Sequence, residues 1–172
     1  LSSCASRQLE EVTFRRTVIP VQELLDAAGK YFKKLMKNRS ERIELEIEPM
    51  EAKVIGDVNQ LRFLLENLID EALTVREDGV IRLQARKDNE YIRFLFTDTR
   101  REKSVEELNQ LFYPNLARMT SGEKGELRGT EYLVCKQIIR DHDEFAGRRG
   151  CRINAEPAEG GGFTVYFTIP RR

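Results

Sequence analysis

Residues 56–72 read GDVNQLRFLLENLIDEA, and this stretch predicts a capped amphipathic helix. Asp57 is a favourable N-cap, because its short acidic side chain can accept hydrogen bonds from the first free amides of a helix. Apolar residues then recur at intervals of three and four, which places them on one helix face: Leu61, Leu64, Leu65, Leu68, Ile69 and Ala72. A helix with such a stripe has to bury it against a second layer of structure.

The stretches on either side of this helix predict alternating strands and further helices. Residues 43–47 (IELEI) alternate strictly, as a half-buried strand does, and Asp78-Gly79 is a turn signal. The other predicted elements are strands at 12–19, 54–55, 80–86, 91–97, 151–156 and 162–169 and helices at 20–36, 104–112 and 132–140, with loops at 87–90, 115–129 and 141–150. The fold class is therefore α+β, a two-layer sandwich in which about three helices cover one face of a mixed, mostly antiparallel sheet.

Composition excludes several classes of protein. Hydrophobic residues make up 40% of the 172 residues, too many for a disordered chain. The 29 Lys and Arg balance the 29 Asp and Glu, whereas nucleic-acid binders usually carry a basic excess. No apolar run approaches the roughly 18 residues that suggest a transmembrane helix. Three scattered cysteines (Cys4, Cys135 and Cys151) give neither a disulfide framework nor a metal-ligand spacing and favour a reducing compartment.

Five short strings, in a fixed order along the chain, carry the functional signal. They are LENLIDEA at 65–72, FLFTD at 94–98, LFYP at 111–114, LRGTEY at 127–132 and GGGFTVYFTIP at 160–170. Together they resemble the catalytic domain of sensor histidine kinases, whose Bergerat ATPase fold is shared with DNA gyrase and the mismatch-repair ATPases. The resemblance covers about residues 12–170. The five strings together are specific for this fold, although no single string is.

The resemblance implies a site for ATP and Mg²⁺ built from Asn67, Glu71, Asp98 and Gly129. Asp98 stands where the family's aspartate accepts a hydrogen bond from the adenine amino group. Asn67 is the first asparagine of the family's asparagine-rich box, and Glu71 replaces the second one, which usually binds magnesium. Glu71 or Asn67 would then hold Mg²⁺, an ion that prefers hard oxygen ligands. No residue is assigned a catalytic role.

Several departures from the family pattern predict that nucleotide binding is weak or lost. Arg100 and Glu102 replace two glycines of the box that follows Asp98, and Leu127 and Glu131 replace two glycines of the later box. Glycine-rich loops bind phosphate because bare backbone can approach the anion closely and aim its amides at it. Each of the two acidic side chains beside a triphosphate could cost on the order of 1 kcal/mol, and the two together predict roughly hundredfold weaker binding.

Each of these residues also has a purely structural interpretation. Asn67 and Glu71 are four residues apart and share one helix face, where solvated or capping roles are common. Asp98 at a strand end is a frequent turn former, and Gly129 fits an ordinary loop. The adjacent pair Arg100–Arg101 is compatible with anion binding or with a solvated surface.

The resemblance further implies a place in a larger signalling protein. Residues 1–11 would be the tail of a preceding helix or a linker, and residues 12–172 the ATPase-type domain. Kinases of this kind phosphorylate a histidine on a separate dimerisation domain, and His142, at the end of the last helix, is a poor phosphoacceptor. The implied partners are other domains of the same protein and a second copy, joined through a missing N-terminal helical domain. The implied location is the cytoplasm, in a soluble protein or in the cytoplasmic part of a membrane-anchored one.

Three functions remain open from the sequence. The first is a regulatory pseudokinase module that has weak or no ATP binding. The second is a working Mg-ATP-binding kinase domain with unusual motifs, in which Asn67, Asp98 and Gly129 serve the nucleotide. The third is a protein-interaction scaffold, which a nucleotide pocket filled by the protein's own side chains would favour.

Overall fold

The computed structural model describes residues 13–114, 130–147 and 149–172. Gly129, and with it the predicted loop at 115–129, lies outside the described residues, as does the N-terminal tail. The elements are, in chain order, β1 (Thr17–Pro20), α1 (Val21–Met36), β2 (Ile43–Ile47), β3 (Lys53–Gly56), α2 (Val58–Ala72), β4 (Gly79–Asp88), β5 (Tyr91–Asp98), α3 (Val105–Gln110), α4 (Glu131–Phe145), β6 (Ile153–Pro157) and β7 (Phe163–Pro170).

A mixed five-stranded sheet forms one layer of the fold, in the order β2-β4-β5-β7-β6. Strand β2 pairs with β4 in parallel, and every other neighbour in this sheet is antiparallel. The short strands β1 and β3 pair separately, and a bridge between Val54 and Arg171 joins them to the end of β7. The α+β class and the mostly antiparallel sheet predicted from the sequence are confirmed.

Helices α1, α2 and α4 form the second layer and bury their apolar stripes against one face of the sheet. The side chains of β5 alternate strictly between buried and half-buried, as expected for a sheet with one covered face. Its buried members include Phe94, which stacks on Phe167 of β7 at a ring-centroid distance of 4.8 Å. The opposite face carries charged pairs between strands, such as Arg82 with Glu46 at 3.1 Å.

Two helix caps follow the sequence expectation. Asp57 caps α2, because its Oδ1 accepts hydrogen bonds from the amides of Asn59 and Gln60 at 3.0 and 3.1 Å. Ser104 and Glu107 form a reciprocal capping box at the start of α3, with both hydrogen bonds at 3.1 Å.

Three predicted boundaries are wrong. The sequence pattern predicts that the last helix ends near Arg140, with a loop from 141 to 150, but α4 continues to Phe145 because His142 extends its buried face. The first strand is confined to Thr17–Pro20 instead of 12–19. The hairpin between β4 and β5 is also tighter than predicted, since its loop contains two residues and Asn89 takes a positive φ of 55°.

No helix among the described residues is both long and apolar enough to cross a membrane.

Candidate functional site

A buried ion pair between Asp98 and Arg100 occupies the end of β5. Asp98 is the last residue of this strand and lies on its buried side. Two residues later the Arg100 side chain returns to it: Nε donates to Oδ1 and Nη2 to Oδ2, both at 2.9 Å. The Arg100 backbone amide donates to the same Oδ1 at 3.0 Å. The Arg100 and Asp98 side chains are 1% and 6% exposed, so water screens this pair very little.

The same guanidinium closes the C-terminal end of α2. Nη1 donates to the carbonyl oxygens of Val75 and Glu77 at 2.9 Å each, and Nη2 donates to that of Ala72 at 2.6 Å. Carbonyls at a helix C-terminus lack intrahelical partners and carry the negative end of the helix dipole, so a cation is favoured there. An arginine has five N–H donors, and here each of the five meets an acceptor.

Gly79 provides the space through which the Arg100 side chain passes. A Cβ atom at residue 79 would lie 2.5 Å from Cγ of Arg100, closer than side chains tolerate. Gly79 also has a φ of 146°, which side-chain-bearing residues rarely adopt. The turn signal at residues 78–79 is therefore also the place where the buried arginine enters the fold.

Arg100 corrects one interpretation of the sequence. The sequence allowed a solvated surface position for both Arg100 and Arg101. Only Arg101 lies at the surface, where it forms an exposed ion pair with Glu77 at 2.7 Å. Arg100 instead lies against Asp98, the residue assigned to adenine. An adenine amino group would have to displace the guanidinium to reach that carboxylate. In this arrangement Arg100 contacts both carboxylate oxygens of Asp98.

The two residues assigned to magnesium lie on one face of α2. Asn67 is buried, and its Nδ2 donates to the backbone carbonyl of Phe63 one turn earlier at 2.7 Å. Its amide therefore hydrogen-bonds to the helix itself, in the middle of α2, and is neither solvated nor a cap. Glu71 is half-buried one turn further on. Among the described residues, no group of three or more His, Cys, Asp or Glu could hold a metal ion.

Glu71 of α2 and Glu131 of α4 both lie near Cys135, where these two helices are in contact. Both carboxylates act on the Cys135 thiol of α4, whose pKa is raised first by burial, then by Glu131 and also by Glu71. Within the described part of the chain, the buried Oε2 of Glu131 has no hydrogen-bond partner. Of the two acidic residues that the sequence predicts beside a triphosphate, Glu102 and Glu131, Glu131 therefore lies with Glu71 near the same thiol.

The string LFYP at 111–114 contributes to the core rather than to an open site. Phe112 is buried, and its ring meets that of Tyr132 edge to face, with centroids 5.6 Å apart. This contact packs the segment that follows α3 against the first turn of α4. Tyr113 is exposed, with the Lys136 ammonium 4.2 Å from its ring centre.

His142 is fully buried and both of its ring nitrogens are engaged. Nε2 accepts a hydrogen bond from the backbone amide of Asp57 at 3.0 Å, and Nδ1 lies 2.8 Å from the carbonyl of Ile138. Phe14 packs edge-on against its ring at 4.8 Å. The imidazole therefore joins α4 to the start of α2, and no nitrogen is presented to a phosphoryl donor.

We expect this histidine to make the fold sensitive to mild acid. Burial lowers the pKa of His142 below 6.5, against weaker opposing contributions from the Ile138 carbonyl, Asp57 and Asp141. Since the folded protein binds the proton less well than the unfolded chain, stability should be full above about pH 6.5 and fall as the pH drops below it, by at most about 1.4 kcal/mol per pH unit. Urea unfolding of wild type and His142→Gln between pH 7.5 and 5 measures this loss of stability. If the free energy of unfolding changed equally with pH in both proteins, His142 would not be the group responsible.

Sequence comparison places the chain in a family. The profile described as "Histidine kinase-, DNA gyrase B-, and HSP90-like ATPase" matches residues 56–172, more than half of the chain. The chain belongs to this ATPase family. The match begins at the glycine before the Asp57 cap and ends at the C-terminus, so it includes the Asp98–Arg100 pair. No curated protein sequence matches the chain.

Solved structures similar to this ATPase-family domain include those of histidine kinases. The mycobacterial sensor histidine kinase MprB superposes with a TM-score of 0.69 at 19% identity, over 92% of this chain and 99% of that one. A catalytic domain of the histidine kinase ThkA gives 0.69 at 21% identity, over 91% and 97%. Full-length ShkA in complex with AMPPNP gives 0.70 at 16% identity, over 92% of this chain and 32% of that one. At such identities these similarities establish the fold.

Proposed function

We propose that this domain is a regulatory module of a two-component-type signalling protein that keeps the histidine-kinase ATPase fold and binds ATP weakly or not at all. In this proposal residues 12–172 form the module and residues 1–11 belong to the segment before it. Its partners are neighbouring domains of the same, cytoplasmically located protein, and its output is a protein contact rather than a transferred phosphoryl group.

The observation that carries the proposal is the occupation of Asp98 by Arg100. For adenine to bind, a guanidinium with five hydrogen bonds and almost no exposure would have to leave its place. Hydrogen bonds to charged groups contribute about 1.5–3 kcal/mol each. Losing several of them exceeds what the amino group of one base returns.

The acidic residues at the other end of the site support the same conclusion. Glu71 and Glu131 lie close enough to the Cys135 thiol for both to raise its pKa. A triphosphate placed between these helices would meet two carboxylates, and Mg²⁺ would have to offset that repulsion as well as its own dehydration. Nucleotide affinity should therefore be reduced at the phosphate end and at the base end.

Isothermal titration with Mg-ATP tests the proposal. We expect no binding heat for the wild-type domain up to millimolar nucleotide, because both ends of the site oppose the ligand. The matched variant Arg100→Gly restores the family's glycine and frees Asp98, so it should bind more tightly than wild type wherever circular dichroism shows that it is folded. Micromolar binding by the wild type would overturn the proposal.

A working kinase domain is the second candidate, favoured by the retention of Asp98 at the end of β5. If Arg100 moves aside for nucleotide, ATP should stabilise the wild-type domain against heat, and Asp98→Asn should abolish that stabilisation. Absence of any ATP-dependent shift in the wild type at millimolar concentration would reject this candidate.

A further inference from the structure

An open groove runs along the outer seam between α2 and α4, away from the Asp98–Arg100 pair. It has a volume of about 880 Å³. We call it the α2–α4 groove. It is lined by Thr13, Arg15, Asp57, Asn59, Gln60, Phe63, Val134, Gln137, Ile138 and Asp141. Its apolar side is thus formed by Phe63 of α2 and by Val134 and Ile138 of α4.

The exposed aromatic side chain in the groove indicates a missing protein contact. Phe63 leaves 53% of its surface exposed, which is costly for a large aromatic side chain on an otherwise polar helix face. Phe63 is also flanked on this face by polar groove residues such as Asn59 and Gln60. An exposed aromatic of this kind is the anchor that a docked segment with an apolar face would cover.

The chain itself leads into this groove from its N-terminal side. Thr13 lines the groove, and two residues later the amide of Arg15 donates to Oδ2 of Asp57 at 2.9 Å. Phe14 is held against His142 and lies 5.7 Å from the ring of Phe145. The path of residues 13–15 is therefore fixed at the groove wall, which is where the preceding twelve residues join the fold.

The sequence of those twelve residues, LSSCASRQLEEV, has the pattern that fits such a surface. Leu1, Ala5, Leu9 and Val12 are spaced by four, four and three residues, so a helical conformation would place them on one face. In such a helix Arg7 and Glu10 would fall on the opposite face. Twelve helical residues would span about 18 Å, enough to cover the roughly two turns of α2 and of α4 that line the groove.

We propose that the α2–α4 groove is the docking site of residues 1–12 of this chain, with their apolar stripe against Phe63. Such docking does not depend on whether ATP binds. It makes the outer seam of the helix layer, rather than the nucleotide site, the surface through which the preceding part of the protein holds this domain.

Cysteine alkylation of the full chain tests the docking. In a Cys4→Ser background, Ala5→Cys places a thiol at the centre of the stripe, and Arg7→Cys places a matched thiol on the outer face. The native Cys135 and Cys151 are buried and their thiol pKa values are raised, so they react slowly in the folded protein. We expect iodoacetamide to modify the thiol at residue 5 at least about tenfold more slowly than the one at residue 7.

Phe63→Asp supplies the decisive comparison, because Phe63 is half-exposed and its replacement leaves the core intact. It should remove the difference between the two thiols, while Gln22→Ala, on α1 and outside the groove, should preserve it. Equal rates in the parent protein, or a difference that Phe63→Asp leaves unchanged, would overturn the proposal. Protection that disappears on tenfold dilution would show that a second copy fills the groove and would also overturn it.

Discussion

Replacing Arg100 with methionine is expected to lower the free energy of unfolding by about 3–5 kcal/mol, the usual cost of leaving one partner of a buried ion pair uncompensated. The change leaves the Asp98 carboxylate in a site that is 6% exposed. It also removes the hydrogen bonds from Arg100 to the carbonyls of Ala72, at the end of α2, and of Val75 and Glu77 just beyond it. Urea unfolding at pH 7.5, followed by circular dichroism, measures the loss.

Two further variants distinguish the loss of the buried ion pair from the loss of any arginine. Arg101→Met removes the neighbouring arginine from an exposed pair with Glu77 and should leave the unfolding midpoint nearly unchanged. Combining Arg100→Met with Asp98→Leu removes both buried charges, and it should recover part of the stability because no unpaired carboxylate remains. If the Arg100→Met protein were as stable as the Arg101→Met protein, the stabilising role of the buried Asp98–Arg100 pair would be contradicted.

Gly162→Ala is the second change with a large expected effect, a loss of about 3 kcal/mol in the free energy of unfolding. Gly162 has a φ of 84° where the chain enters β7 beside the backbone of Asp98. An added Cβ would overlap the carbonyl oxygen of Asp98 and lie 2.8 Å from Cα of Thr99. These are backbone atoms of the strand end, so relief of the overlap would have to move β5 itself.

Gly160 offers a matched control for this substitution. It lies in the same turn with a φ of 86°, but a Cβ there meets nothing within 4 Å. Gly160→Ala should therefore show only the cost of a left-handed backbone, about 1–2 kcal/mol. Thermal unfolding of the two variants side by side separates backbone strain from steric overlap, and equal losses would rule out the close approach at Gly162.

The sequence was sufficient where a feature depends on neighbours along the chain. The apolar stripe of α2, the Asp57 cap and the capping box at Ser104 are all set within one or two helix turns, and each is present as predicted. Asp98 was correctly placed at a strand end for the same reason, because the alternation of residues 91–98 is local.

The fate of Arg100 could not be predicted in the same way. An arginine just after a strand usually faces water, and its burial here depends on carbonyl groups at residues 72–77, more than twenty positions earlier. It also depends on the absence of a side chain at Gly79. The sequence does contain one signal for this burial: Asp98 and Arg100 at the end of β5, with Gly79 at the start of β4. This combination indicates a buried arginine only once β4 and β5 are known to be neighbours.

The length of α4 could not be predicted for a related reason. Residues 140–144 (RDHDE) are polar, so the periodic apolar pattern of the helix ends before them. His142 nevertheless continues the buried face, since its two nitrogens find partners in Asp57 and Ile138. A buried polar residue whose hydrogen bonds are satisfied by distant backbone extends a helix without an apolar signal.

Whether Arg100 closes the nucleobase site can be decided by a crystal structure of the domain grown with Mg²⁺ and a non-hydrolysable ATP analogue at millimolar concentration. We predict density for the Arg100 guanidinium in bidentate contact with Asp98 and no base beside that carboxylate. A nucleotide whose adenine amino group lies within hydrogen-bond distance of Asp98, with Arg100 turned away, would contradict the proposed loss of nucleotide binding.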